Sequence, residues 1–241
     1  PDTQIFTPYG ATEALPVASI GSHEILNETS PRTREGGGVC VGRPVEGIEL
    51  KVIRITDEPI ERWSDDLVLP VGEIGEIAVK GENVTREYFN RPESTRLAKI
   101  SDPANGGFYH RMGDVGYRDA TGRIWFCGRK SHRVITDAGT LFTIPCEAIF
   151  NTHPEVFRSA LVGVSRHGRT EPVICIELDP ETHRQPEAAI RAELLKLGAA
   201  NPPTRDIKTV LFHPAFPVDI RHNAKIFREK LAVWAAQQSP S

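Results

Sequence analysis

Asp114 and Arg129 are side chains whose type and setting suggest chemistry. Asp114 follows Gly113 on a turn, and Arg129 follows Gly128 at the end of an apolar run. A carboxylate can accept hydrogen bonds from both hydroxyls of a ribose, and a guanidinium beside it can donate to the same sugar. Residues 5–13 read Ile-Phe-Thr-Pro-Tyr-Gly-Ala-Thr-Glu, an apolar stretch that meets Pro8 and then a small-residue loop carrying Tyr9, Gly10, Thr12 and Glu13. A ring, a hydroxyl and a carboxylate on one tight loop suit a nucleotide: the ring stacks on the base, the hydroxyl meets a phosphate, and the carboxylate holds Mg²⁺. A third group centres on Lys225. Asn223 reads as an N-cap, which puts Lys225 in the first turn of a helix, beside the positive end of its dipole. A lysine is misplaced there, which marks it as a candidate functional cation. Taken singly, each group also reads as ordinary structure: a turn aspartate, a solvated arginine, a capped turn after a strand, a solvated lysine.

The elements that would position these groups follow from pattern. Residues 123–127 form a strand bounded by Gly122 and Gly128, and residues 48–55 and 75–80 are further strands. Turn signals between them predict a small β-barrel or sheet over 36–127. The polar segment 21–38 ends in Gly36-Gly37-Gly38. It reads as a flexible loop and not a phosphate cradle, since no Gly-Lys-Ser/Thr follows. Asn90 to Thr95 looks like a helix start with Pro92 early. After Gly128 the order is helix (145–151), strand (159–164), strand (172–178), helix (186–197, apolar at 190, 194 and 197), strand (207–213) and helix (224–236). That order predicts a compact α+β domain of roughly a hundred residues, entered near 129–132.

Composition narrows the function classes. At 241 residues, 39% hydrophobic and 25% charged, the chain is an ordinary globular protein of one or two domains. A net charge of -3 gives no electrostatic case for nucleic acid or an anionic membrane. No apolar run approaches the roughly 18 residues that span a bilayer, and no signal peptide is visible. Cys40, Cys127, Cys146 and Cys175 are scattered singly, as reduced thiols of a cytoplasmic protein would be. The histidines show no ligand spacing. Position 1 is Pro and a site-like motif arrives by Tyr9, so a fragment or a processed chain is expected.

The motifs form an ordered set: Tyr-Gly-Ala-Thr-Glu at 9–13, Gly-Glu-Ile-Gly-Glu-Ile at 72–77, Tyr-His-Arg-Met-Gly-Asp at 109–114, Gly-Arg-Lys at 128–130 and Arg-His-Asn-Ala-Lys-Ile at 221–226. This set resembles the second half of the ATP-dependent adenylate-forming superfamily, which includes acyl-CoA synthetases, nonribosomal adenylation domains and luciferases. The resemblance covers essentially the whole chain. It implies an α+β fold in which residues 1–128 close a large AMP-binding domain through a β-rich subdomain, and residues 129–241 form a C-terminal lid that turns about a hinge near 129–132. It also implies ATP and Mg²⁺ as cofactors. By the same resemblance Tyr9 lies near adenine, Thr12 contacts phosphate, Glu13 holds Mg²⁺, Asp114 and Arg129 bind the ribose, and Lys225 bridges the reacting carboxylate and the α-phosphate.

The departures from the family pattern are specific. The glycine-rich phosphate loop is not among these 241 residues. The hinge position, usually Asp or Lys, is Ser131. After Gly139, where a basic residue usually assists thioester formation, the chain reads Thr-Leu-Phe. One branch resembles this variant closely: the β-lactone-forming synthetases of bacterial long-chain olefin biosynthesis, through Phe-Thr-Pro-Tyr-Gly-Ala-Thr-Glu-Ala-Leu-Pro and Thr-Ile-Pro-Cys-Glu-Ala-Ile-Phe-Asn-Thr-His-Pro. It implies adenylation of a 2-alkyl-3-hydroxy fatty acid, then attack by the substrate's own 3-hydroxyl to close a β-lactone. The expected partners are that β-hydroxy fatty acid, the remaining N-terminal half of the enzyme, and a β-lactone decarboxylase and a β-ketoacid reductase of the same pathway. A long-chain acyl-CoA synthetase is the alternative within the superfamily. A non-catalytic docking fragment is the alternative outside it.

Overall fold

The computed structural model describes residues 3–219 and 222–238. It divides into two units, residues 1–31 with 38–131, and residues 32–37 with 132–241.

The first unit is built on strands β1 (Phe6–Ala11), β2 (Ala14–Gly21), β3 (Val39–Pro44), β4 (Glu49–Ile53), β5 (Gly75–Lys80), β6 (Lys99–Ser101), β7 (Phe108–Arg118) and β8 (Ile124–Arg129). They pair in the order β1-β2-β3-β8-β7-β5-β4, with β6 beside β7. Strand alternation puts Val17, Leu50, Val52, Ile77, Val79, Met112 and Ile124 into one core. Burying each such aliphatic side chain is worth about 1.5–3 kcal/mol. Of the two expected forms, barrel or sheet, the sheet is the one that forms. Strands β1 and β4 end the order without pairing to each other.

Residues 22–34 differ from the expected flexible loop. They form three short helical pieces, Ser22–Glu24, Ile25–Thr29 and Ser30–Arg34. The cause is long-range. Glu24 pairs with Arg43 at 3.2 Å, Glu28 with Arg123 at 3.0 Å, and Thr29 is buried. The segment 90–95 is nearer to expectation, since a helix runs from Pro92 to Ala98 with proline in its first turn.

The second unit opens with the hairpin β9 (Val134–Thr136) and β10 (Gly139–Leu141). Strands β11 (Val156–Arg166), β12 (Arg169–Leu178) and β13 (Thr209–Phe212) form a sheet in that order, with β12 and β13 parallel. A parallel neighbour needs a crossover, and the helix Glu187–Ala200 lies in it. Period-two alternation separates the sheet's faces. Leu161, Ile174 and Ile176 pack with Phe150, Ile190 and Leu194, while Ala160, Val162, Val164, Val173 and Cys175 pack with Leu231 and Ala235. The four cysteines are buried and unbonded to one another.

The end of the chain corrects one expectation. Residues 222–226 are strand, not helix: β14 (Val218–Asp219) pairs antiparallel with β15 (His222–Ile226), and the last helix runs from Arg228 to Ala236. Asn223 is therefore not an N-cap and Lys225 is not in a first helical turn, so the dipole argument for Lys225 does not hold. Pairing with Val218, and a Phe227 N–H donated to the Pro217 carbonyl at 2.8 Å, override the local helical period. Ile220 and Arg221, the latter part of the motif before Lys225, lie outside the described residues.

Candidate functional site

Asp114 owes its position to a bulge. Strand β5 pairs Glu76 with Val115 and Ala78 with Arg111, so three residues of β7 (112–114) oppose the single Ile77. Gly113 sits in that bulge with φ 66°, a left-handed conformation that glycine adopts without a Cβ penalty. On the other side of β7, Asp114 is the direct cross-strand partner of Arg129 on β8. Register alone therefore brings the two together, with Arg129 Nη1 2.8 Å from Asp114 Oδ1.

Tyr9 completes this corner. Its hydroxyl donates to Asp114 Oδ2 at 2.6 Å, and its ring lies 6.1 Å from that of Phe126. Strands β1 and β7 are four steps apart in the sheet order, about 19 Å if the sheet were flat. The contact exists because the sheet coils. It also corrects a local expectation, since Tyr9 and Gly10 belong to strand β1 and only Thr12 and Glu13 form the turn. Gly10 has a packing reason, because a Cβ there would stand 2.5 Å from the Ala14 carbonyl oxygen.

The electrostatics of the corner fit a hydroxyl-rich ligand. Asp114 is 3% exposed while the Arg129 side chain is 52% exposed. Burial raises the Asp114 carboxyl, and the Tyr9 hydrogen bond and the Arg129 charge only partly offset it. Burial, and then Asp114 itself, push the Tyr9 phenol well above its ordinary value, so it stays a donor. Asp114 Oδ1 is buried and close to Arg129, yet no donor is aligned on it as a hydrogen bond. A buried acceptor without an aligned donor is the place a sugar hydroxyl would fill. The next residue after Arg129 is also fixed. Lys130 Nζ is 3.2 Å from Glu76 Oε1 and donates to the Thr56 carbonyl at 3.0 Å, and Glu76 is held from the other side by Arg111 at 2.7 Å.

Thr12 and Glu13 form the two-residue turn between β1 and β2, where Ala11 pairs with Ala14. Thr12 is exposed and Glu13 half-buried. Tyr88 Oη donates to Glu13 Oε1 at 2.9 Å, and the Thr85 N–H donates to the Glu13 carbonyl at 2.8 Å. Burial works against the charged form of Glu13, but the Tyr88 hydrogen bond, with His110 and Lys99 nearby, outweighs it and lowers its pKa. The His110 imidazole, 2% exposed, is pulled down to about 4, by burial first and then by Lys99. Burial brings Lys99 down to about 8. Among the described residues no group of three His, Cys, Asp or Glu side chains could hold a metal ion. Glu13, half-buried with one oxygen bonded to Tyr88, could offer a single carboxylate ligand to a hard cation such as Mg²⁺, which is commonly held by one or two carboxylates together with phosphates and water. Sequence reasoning missed Tyr88, Thr85 and Lys99. The one available signal was the aromatic pair Tyr88-Phe89 inside an otherwise polar loop.

Lys225 belongs to the second unit. Three residues of β15, 223–225, stand between the partners of the adjacent Val218 and Asp219, so they are out of register, and Lys225 is exposed on the bulge. Three residues on, Arg228 begins the last helix and donates to Glu147 Oε2 at 2.9 Å. Glu147 is 6% exposed and also accepts the Leu161 N–H at 2.8 Å. An ion pair between buried Glu147 and partly buried Arg228 thus anchors the base of the segment that carries Lys225.

Comparison with known proteins found no matching family model. Two curated proteins described as olefin β-lactone synthetase are similar over 240 residues each, one from Xanthomonas campestris pv. campestris at 52% identity and one from Stenotrophomonas maltophilia at 50%. Each alignment covers 98% of this chain and 43% of the relative, so the chain spans about two-fifths of their length. Among solved structures, the O-succinylbenzoate coenzyme A synthetase of Bacillus subtilis, in complex with AMP, superposes with a TM-score of 0.71 over 98% of this chain and 41% of that one. At 22% identity that likeness speaks for the fold alone. With half of its residues shared with β-lactone synthetases along its whole length, and with the fold of the coenzyme A ligases, the chain belongs to the adenylate-forming, acyl-CoA synthetase-like superfamily.

Proposed function

We propose that this chain is the AMP-binding and lid portion of a longer enzyme that uses ATP to activate a 2-alkyl-3-hydroxy fatty acid and closes it to a β-lactone. The substrate carboxylate attacks the α-phosphate, the bond to the β-phosphate breaks, and pyrophosphate leaves. The 3-hydroxyl oxygen then attacks the acyl carbon, its proton departs, and the acyl–phosphate bond breaks to release AMP. An internal nucleophile needs no second substrate, and well-oriented groups reach effective molarities of roughly 10⁵ M or more. Asp114 and Arg129 bind the ribose, with Tyr9 holding Asp114 at the adenosine side. Thr12 contacts phosphate and Glu13 contributes a carboxylate to Mg²⁺, which would neutralise phosphate charge. Lys225 supplies a cation where negative charge develops between carboxylate and α-phosphate.

The observation that carries the nucleotide reading is Asp114 Oδ1, buried beside Arg129 with no aligned donor. The choice of a lactone over a thioester is supported by the half-identity with β-lactone synthetases. The same kinship supports a pathway setting with a β-lactone decarboxylase and a β-ketoacid reductase. Four unbonded cysteines support a cytoplasmic setting, and no helix among the described residues is long and apolar enough to cross a membrane.

The test uses the complete enzyme with ATP, Mg²⁺ and a 2-alkyl-3-hydroxy fatty acid, coenzyme A omitted. AMP together with a product one water lighter than the acid is the expected result. AMP release only on addition of coenzyme A, with a thioester product, would overturn the lactone reading.

A further inference from the structure

The turn that carries Glu13 is a hairpin tip, and a glutamate there has free torsions and solvent on one side. Fixing such a side chain costs up to about 2 kcal/mol of rotamer entropy unless a neighbour holds it. The neighbour is Tyr88, whose hydroxyl donates to Glu13 Oε1 at 2.9 Å. Tyr88 is itself held. Its N–H donates to Thr95 Oγ1 at 3.0 Å, Thr95 Oγ1 donates to the Arg91 carbonyl at 3.0 Å, and its ring stands edge-on to buried His110 at 6.4 Å. The same loop grips the backbone of the turn through Thr85 N–H to the Glu13 carbonyl at 2.8 Å and an antiparallel bridge between Val84 and Ala14. Lys99 locks that loop in turn by donating to the Thr85 carbonyl. A phenol makes one bond to one oxygen and leaves the carboxylate's remaining lone pairs open.

We infer that Tyr88 is a positioning residue for the Glu13 carboxylate, holding it in the orientation in which it meets the divalent cation that accompanies the nucleotide. This rests on the proposed role of Glu13. The geometry resembles the outer partners that orient metal-binding carboxylates elsewhere, whose loss weakens metal affinity while leaving the ligand in place.

Tyr88→Phe deletes one oxygen and keeps the ring, its packing and its backbone bond. The measurement is Mn²⁺ affinity of the complete enzyme saturated with α,β-methylene-ATP, followed by electron paramagnetic resonance, with Glu13→Gln as reference. Tyr88→Phe is expected to weaken Mn²⁺ about three- to tenfold, and Glu13→Gln to weaken it more. Nucleotide affinity at saturating metal and the melting temperature should stay near wild type for Tyr88→Phe, and kcat should recover at high Mg²⁺. Weakened Mn²⁺ in Glu13→Gln with wild-type affinity in Tyr88→Phe would overturn the inference and leave the role of Glu13 standing. Wild-type affinity in both variants would remove Glu13 from the metal and the inference with it. Loss of nucleotide affinity and melting temperature together in Tyr88→Phe would make Tyr88 a purely structural clasp, which also overturns it.

Discussion

The Asp114 corner and the Lys225 hairpin are built in opposite ways. Asp114 is buried, set in register against Arg129 and bonded to Tyr9 across a coiled sheet. Lys225 is exposed, on an out-of-register stretch of a short hairpin, with the ion pair of Arg228 and Glu147 three residues further on. The difference suits the roles proposed for the two groups. A carboxylate that recognises hydroxyls gains by being fixed and partly desolvated before the ligand arrives, since the cost of ordering is then met in folding. A lysine keeps its charge most cheaply in water, because burying an unpaired ammonium costs several kcal/mol. In the proposed mechanism the corner would recognise the nucleotide and Lys225 would supply positive charge to the reaction.

The comparison can be broken from either side. The largest effect is expected at the hairpin's anchor. Glu147→Ala would leave the partly buried Arg228 without its partner and should destabilise the second unit by about 3 kcal/mol in urea unfolding; a change below about 1 kcal/mol would mean the ion pair anchors nothing. Lys225→Ala should slow adenylate formation in the complete enzyme by about 10²–10³-fold, with a melting temperature near wild type because the side chain is exposed. Wild-type adenylation in that variant would remove Lys225 from the chemistry. In the first unit, His110 titrates at about 4 when folded against 6.5 in the free side chain. Between those values the unfolded chain binds the proton and the folded chain does not, so stability falls as pH drops through that window. The loss should reach about 2 kcal/mol by pH 5. His110→Gln should flatten this dependence, and an unchanged slope would place the titration elsewhere. The smallest effect belongs to Tyr9→Phe, expected to weaken ATP binding only a few-fold by freeing Asp114; a hundredfold loss would mean that Tyr9 meets the ligand directly.

The legible parts of the fold were those fixed by local pattern. Strand β5 fell at the expected residues 75–80, and the strands and helices between 143 and 212 came in the expected order, while the hairpins β9–β10 and β14–β15 were not foreseen. Asp114 and Arg129 stood out because each follows a glycine, and those glycines are where β7 bulges and where β8 meets it out of step. What was not legible depended on distant partners. Lys225 read as helical from an apparent cap at Asn223 and an expected helix over 224–236, and the pairing of β15 with Val218 outweighed both. Residues 22–34 read as loop because Glu24 and Glu28 meet Arg43 and Arg123 only in the folded sheet. Tyr88 gave no periodic signal at all, since its reach to Glu13 crosses 75 positions of sequence.

The most direct measurement compares ATP with 2′,3′-dideoxy-ATP by calorimetry in the complete enzyme and in its Asp114→Asn variant. If Asp114 holds the ribose hydroxyls, the wild type should prefer ATP by about 10- to 100-fold, and the variant should lose most of that preference. Equal preference in the two proteins would contradict ribose recognition by Asp114 and, with it, the reading of this corner as the nucleotide site.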